Sequence, residues 1–194
     1  VGGFAAQGPL GSTATAKYSQ IVTLAPNTDY VLSAYLWNFG LDFDLAIADL
    51  TRAADLFRPV HDRTGGLDGW VSLEVSPELA HDTAATVAAA IELHARAGRP
   101  NLFIKIPGTP EGLPAIEDAI AAGVPVNVTL LLDKAQYVAA AEAFMTGVER
   151  RLREGLDPVV GSVASVFMSR WDKAVADSVP ADLQNGLALA VGDD

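Results

Sequence analysis

A chain of 194 residues, half of them hydrophobic, is long enough for one domain with a good core and suits a buried parallel sheet under helices. Its formal net charge of −11 argues against nucleic acid and anionic membrane as general partners, and the lack of cysteine excludes disulfides and thiolate metal sites. Three scattered histidines argue against a histidine-rich metal site. The chain begins at Val1 rather than Met, and no apolar run approaches a membrane span or marks a signal peptide; a cytoplasmic protein is the expectation.

Residues 1–40 differ in composition from residues 41–194 and are read as a separate segment. Residues 1–16 are rich in Gly, Ala, Ser and Thr and read as loose. Residues 18–24 and 30–37 alternate apolar and polar side chains around the loop Ala25-Pro26-Asn27-Thr28-Asp29, a hairpin signal. This short phrase resembles an edge of an extracellular carbohydrate-binding β-sandwich; a hairpin that caps the sheet is the alternative.

From Asp42 onward, strand-like and helix-like stretches alternate. Asp42 or Asp44 caps a helix to about Phe57, with Leu45, Ala48, Ala53 and Leu56 on its apolar face and Arg58-Pro59 as its end. A Gly-rich turn over residues 64–69 leads into an apolar run over 70–75, and Ser76-Pro77 leaves it. An Ala-rich helix then starts at His81-Asp82-Thr83 and stops at Gly98. A second apolar run over 101–107 leads, through Pro110 or Glu111, into a short helix ending at Gly123. A third run over 126–131 is followed by a helix capped by Asp133 and ended by Gly155. A fourth run over 161–167 precedes helices over 169–178 and 180–191. Repeated strand–helix units predict βα crossovers and a parallel sheet, fold class α/β.

Each of the four runs carries polar groups late in an apolar context. Asn101-Leu102-Phe103-Ile104-Lys105-Ile106-Pro107-Gly108-Thr109 holds one lysine. Burying an ammonium is costly unless it is paired or neutral. The residues alone leave two readings: an edge-strand or snorkelling lysine, or a desolvated amine whose lowered pKa makes it a nucleophile. Side chains alternate faces along a strand, so Ser72 and Glu74 share a face, as do Phe103 and Lys105, and Asn127 and Thr129. Glu74 reads equally as a turn-capping carboxylate and Arg170 as a surface residue. Glu, Lys, Asn/Thr and Ser at the ends of successive strands form the pattern by which parallel barrels line an active site. His61, His81 and His94 receive no chemical role, and Gly108-Thr109-Pro110-Glu111-Gly112 is a turn rather than a Walker phosphate loop.

Over about residues 43–190 the chain resembles the transaldolases, in particular the bacterial branch that includes fusions to phosphoglucose isomerase. The resemblance rests on Trp70-Val71-Ser72-Leu73-Glu74-Val75-Ser76-Pro77, on Phe103-Ile104-Lys105-Ile106-Pro107-Gly108-Thr109 with Glu111-Gly112, on Val126-Asn127-Val128-Thr129-Leu130-Leu131, and on Ser162-Val163-Ala164-Ser165-Val166-Phe167 with Ser169-Arg170-Trp171-Asp172. It implies a TIM-type (β/α) barrel and Schiff-base transfer of a dihydroxyacetone unit between sugar phosphates, a step of the pentose phosphate pathway that needs no cofactor and no metal. Lys105 then matches the nucleophile, Glu74 the proton shuttle and Thr129 the holder of a water between them. Asn127 matches a residue that binds substrate hydroxyls, Ser165 and Arg170 bind phosphate, and Phe167 is an aromatic lining residue.

Two departures accompany the resemblance. The family's first strand with its acid, and its second strand ending in a Thr-Ser/Thr-Asn-Pro motif, have no match before residue 43; Asp29, Asp42 and Asp44 are substitutes in sequence order only. The chain also stops near Gly192, short of an eight-stranded barrel. The expectation is therefore a partial barrel with open sheet edges that drive self-association. An aldolase-only or inactive barrel serving as a sugar-binding or scaffold module is the alternative.

Overall fold

The computed structural model describes residues 32–33 and 43–175, with Ser178 and Pro180 beyond them. Five parallel strands lie in the order of the chain: β1 (Leu32–Ser33), β2 (Val71–Glu74), β3 (Leu102–Pro107), β4 (Val126–Leu131) and β5 (Ser162–Val166). Between them run α1 (Phe43–Arg63), α2 (Thr83–Ala97), α3 (Gly112–Ala121) and α4 (Lys134–Arg153), and α5 (Met168–Val175) follows β5. Parallel neighbours need a crossover, and these crossovers are helical, as the spacing of the apolar runs predicts. The result is an α/β fold consistent with a partial TIM-type barrel. The expected hairpin partner of β1, residues 18–24, and the helix expected over residues 180–191 lie outside the described residues, apart from Pro180 itself. None of the described helices is long and apolar enough to cross a membrane.

Local chemistry sets the helix ends. The Asp82 carboxylate accepts from the Ala85 N–H at 2.9 Å, and that of Asp133 from the Gln136 N–H at 2.8 Å. Each such cap typically contributes about 1 kcal/mol. α2 stops at Gly98, whose φ of 56° is the left-handed conformation that a helix end favours and that a side chain would strain.

One face of the sheet is covered by the helices. Val71, Leu73 and Val75, Leu102, Ile104 and Ile106, and Val126 and Val128 form the core with Ala90, Leu93, Ile116, Ile120 and Ala140. Asn101 ties the entry of β3 into place: its Nδ2 donates to the carbonyls of Ala54 at 2.8 Å and Gly69 at 2.9 Å.

The first helix departs from expectation twice. Its buried stripe is Ile47, Leu50 and Ala54, with Phe57 and, as expected, Ala53 packed beside them, whereas Leu56 is 81% exposed and Ala48 is exposed. Two apolar stripes are available on this helix, and the one that docks is the one bearing the Ala54 carbonyl that Asn101 binds. The helix also continues through Pro59 to Arg63. A proline inside a helix costs about 3 kcal/mol through its missing N–H and its ring. The turn beyond it is held by other contacts. Thr64 donates twice to the Val60 carbonyl, from its N–H and its hydroxyl, both at 3.0 Å. The Gly66 N–H bonds the His61 carbonyl at 2.9 Å, and the His61 ring meets Trp70 edge-on at 4.8 Å.

Candidate active site

The register of the strands gathers the polar residues. Glu74 pairs with Lys105, Lys105 with Asn127, and Pro107 with Thr129. Residues paired across a parallel ladder share a face, so Ser72, Glu74, Lys105, Asn127 and Thr129 all project from the face opposite the helix-covered core. Burial is deep: Lys105 is 3% exposed, Ser72 2%, Asn127 5% and Thr129 1%. The lysine is therefore neither an edge nor a snorkelling residue.

The Lys105 Nζ lies 3.6 Å from Glu74 Oε2. That separation is an ion-pair contact, beyond a direct hydrogen bond. Glu74 is the more open of the two, with 29% of its side chain exposed against 4% for Lys105, so it can exchange protons with solvent while the amine stays enclosed. On the other flank, Ser165 Oγ donates to Asn127 Oδ1 at 2.8 Å, and Asn127 Nδ2 donates to Ser72 Oγ at 3.3 Å. Thr129 Oγ1 is buried and makes no hydrogen bond among the described residues. A hydroxyl in that state is suited to hold a water or a substrate oxygen.

A β-bulge follows Thr129 directly. Val128 pairs with Ala164 but Leu131 with Val166, so Leu130 is an extra residue, and it adopts a φ of 62°. The insertion reverses the alternation: Thr129 stays on the polar face while Leu131, fully buried, turns to the core. The Gly108 N–H then meets the Thr129 carbonyl at 2.8 Å and the Phe167 N–H the Leu131 carbonyl at 2.8 Å, which fastens the loops after β3 and β5 to the bulge.

The floor of the polar face is aromatic. Trp70 and Phe103 stack at 4.0 Å with their planes 19° apart. A Cβ at Gly161 would lie 2.9 Å from the Trp70 ring, so only glycine lets β5 start this close to the stack.

The structure thus brings Glu74, Lys105, Asn127, Thr129 and Ser165 onto one face. Phe167 and Arg170 lie past the end of β5. The Arg170 guanidinium sits 5.7 Å from the Phe167 ring centroid, exposed, with no hydrogen bond or ion pair among the described residues. A cation so placed remains available to a phosphate. Sequence reasoning missed the Ser72 contact and the bulge at Leu130. The parity of Ser72 with Glu74 was the available signal for the first; an ordinary leucine carries none for the second. Among the described residues no three His, Cys, Asp or Glu side chains converge as a metal site.

Comparison with known proteins bears on the same segment. Residues 38–191 match the transaldolase/fructose-6-phosphate aldolase family. A "Transaldolase 2" of Streptomyces coelicolor is 49% identical over 138 residues, covering 71% of this chain and 37% of that protein. A "Transaldolase 2" of Nostoc sp. is 46% identical over 144 residues, 74% of this chain and 38% of that protein. A "Transaldolase" of Parafrankia sp. is 52% identical over 132 residues, 68% of this chain and 36% of that protein. The chain thus spans less than two fifths of the length of these relatives. The match covers β2 to β5 and every polar strand end described above, and the chain belongs to the transaldolase/fructose-6-phosphate aldolase family.

Proposed function

We propose that this chain carries transaldolase chemistry, with Lys105 as the Schiff-base nucleophile. The observation that carries the reading is a lysine 3% exposed at a strand end, 3.6 Å from a carboxylate, inside the family-matched segment. The substrate is a ketose phosphate such as fructose 6-phosphate. Glu74 takes the ammonium proton, and the free amine attacks the C2 carbonyl to give a carbinolamine. Glu74 returns a proton to the departing hydroxyl, water leaves, and an iminium forms. Thr129 holds the water through which these protons move. Loss of the C4 hydroxyl proton breaks C3–C4, releases the aldose phosphate and leaves a dihydroxyacetone enamine on Lys105. Attack of that enamine on a second aldose phosphate, then hydrolysis, completes the transfer. Asn127 binds substrate hydroxyls, Phe167 lines the site, and Ser165 and Arg170 hold the phosphate.

The base for the C4 hydroxyl is not assigned to a described side chain. Asp29 and Asp42, two substitutes in sequence order, fall outside the described residues, and the side chain of Asp44 is not described. General-base catalysis is typically worth about 10²–10⁴-fold, so adduct formation is expected to outrun turnover. A second reading, aldol cleavage without transfer, is favoured by the aldolase half of the matched family. Product formation with and without erythrose 4-phosphate separates the two.

Borohydride trapping with fructose 6-phosphate, followed by peptide mapping, tests the nucleophile. The expected adduct is on Lys105. Labelling at Lys17, Lys134 or Lys173 instead, or at no lysine, overturns the assignment. A cytoplasmic setting goes with this reading, because sugar phosphates are anions that do not cross a bilayer freely. So does self-association of the 194-residue chain: β5 is the last strand of the described sheet, and Val163 and Val166, on its two faces, are 43% and 40% exposed, which leaves a strand able to pair with another copy. Light scattering at several concentrations is expected to show species larger than the monomer, and Val166→Lys should reduce them.

A further inference from the structure

We propose that Ser72 is a positioning residue that holds the substrate-binding amide of Asn127; the proposal rests on the reading of the site given above. A primary amide on a short side chain has a broad terminal torsion, so packing alone does not set the plane of its donors and acceptors. Asn127 is clamped at both ends instead. Ser165, on the adjacent strand β5, donates to Oδ1 at 2.8 Å. Ser72, two strands away on β2, accepts from Nδ2 at 3.3 Å.

The second contact is the unusual one. Strands two apart in a sheet are separated by about 9–10 Å, so two short side chains must lean toward each other over the strand between them. That strand is β3. Ser72 pairs with Phe103 and Asn127 with Lys105, so the bond crosses β3 between the aromatic floor and the nucleophile. Ser72 is 2% exposed and Asn127 5%, so water does not compete readily for either group. An amide offers two N–H donors and two lone pairs. With one of each committed, the remaining N–H and lone pair are held in one plane beside Lys105. There they can meet a substrate hydroxyl without first being ordered, which is how a fixed polar group contributes to catalysis. Ser72 touches no reacting atom in this arrangement; it acts through Asn127.

The 194-residue chain, Ser72→Ala, Asn127→Ala and the double variant decide the matter. Loss of one neutral hydrogen bond predicts a fall of about two- to tenfold in kcat/KM for fructose 6-phosphate in Ser72→Ala. Trapping of Lys105 by borohydride should stay within about twofold of the parent. In the Asn127→Ala background the same substitution should cost nothing further, because its target is gone. Multiplicative losses in the double variant, or an unchanged kcat/KM in the single one, overturn the proposal. Side-chain amide exchange of Asn127, followed by NMR, provides a readout that does not depend on turnover. Exchange should be slow in the parent and several-fold faster in Ser72→Ala. If the parent traps no ketose at Lys105, the catalytic reading fails, and this measurement alone judges Ser72: exchange unchanged by the substitution overturns the positioning role.

Discussion

On one face of the sheet, Val71, Leu102, Ile104, Ile106 and Val126 are fully buried and present only hydrocarbon to the helices. On the other face, Ser72, Lys105, Asn127 and Thr129 are buried almost as deeply and present hydroxyl, amide and ammonium groups. The same strands supply both, residue by alternate residue. Burial therefore does not distinguish core from site in this molecule; parity does. The hydrocarbon face gains roughly 1.5–3 kcal/mol for each large side chain removed from water. The polar face incurs desolvation and offsets it by mutual pairing: Lys105 with Glu74, Asn127 with Ser72 and Ser165. Such a face adds less to stability than the hydrocarbon face, which agrees with the proposed role of its residues in binding.

Adjacent residues on β3 should respond in opposite ways to substitution. Lys105→Met keeps an unbranched apolar side chain in the strand but removes the amine. The expected result is loss of the borohydride adduct and a fall in transfer of at least about 10³-fold, with the urea midpoint nearly unchanged. Ile104→Ala, one residue earlier and on the helix side, should do the reverse. It should lower stability by about 2–5 kcal/mol, read as a shifted urea midpoint, while the folded fraction still traps ketose at Lys105. If Lys105→Met unfolds the chain, or Ile104→Ala silences the adduct without loss of stability, the division between the faces is wrong.

Arg170→Ala acts at the rim of the polar face. Its guanidinium is committed to the Phe167 ring alone among the described groups. A charge-assisted contact to phosphate contributes about 1.5–3 kcal/mol, so fructose 6-phosphate should lose roughly ten- to a hundredfold in kcat/KM. Unphosphorylated dihydroxyacetone should be trapped at Lys105 almost as before. Equal losses on both would make Arg170 structural.

Much of this layout was legible in the chain. Apolar runs of six or seven residues ending at Pro, Gly or Asp marked β2 to β4 closely, because a strand covered by helices has to be apolar on at least one face. Asp82, Asp133 and Gly98 marked their helix ends because caps are local chemistry. The polar strand ends were legible for the same reason, as were the parities of Ser72, Lys105 and Asn127. What was not legible depends on distant contacts. Which of two apolar stripes on α1 docks is decided where Ala54 meets Asn101, 47 residues away. The passage of α1 through Pro59 depends on how Thr64 and Trp70 hold the turn beyond it. The Ser72–Asn127 bond joins residues 55 apart and requires the register of three strands at once.

The bulge offers a smaller effect. Leu130 is 41% exposed and holds a φ of 62°, a conformation that costs a residue with a Cβ about 1 kcal/mol relative to glycine. Leu130→Gly should leave Thr129 aimed into the site, so adduct formation is retained. Stability should rise slightly or hold, since relief of strain offsets the loss of a half-exposed side chain. Leu130→Val should be worse than the parent by a comparable amount, because a β-branched residue tolerates positive φ poorly. A Leu130→Gly chain that loses the Lys105 adduct would show that the side chain, and not the bulge, does the aiming.

On the helix-covered side, His94 makes stability depend weakly on pH. Burial holds His94 below its ordinary pKa of 6.5, and its Nε2 is enclosed without a hydrogen bond among the described residues. The imidazole is thus kept neutral in the fold, whereas the unfolded chain takes up a proton near 6.5. As pH falls through that value the unfolded state binds the extra proton first, so stability is present above about pH 6.5 and declines below it. The last turn of α2 also carries Arg96, and a charged His94 there would meet the helix dipole favourably. Burial outweighs that attraction. His94→Leu removes the titration and keeps an apolar side chain in the half-buried slot. Urea midpoints at pH 7.5 and 5.5 should then differ less in the variant than in the parent. An unchanged pH dependence would mean that the His94 ring reaches solvent when protonated, and that this part of the core opens more readily than its packing implies.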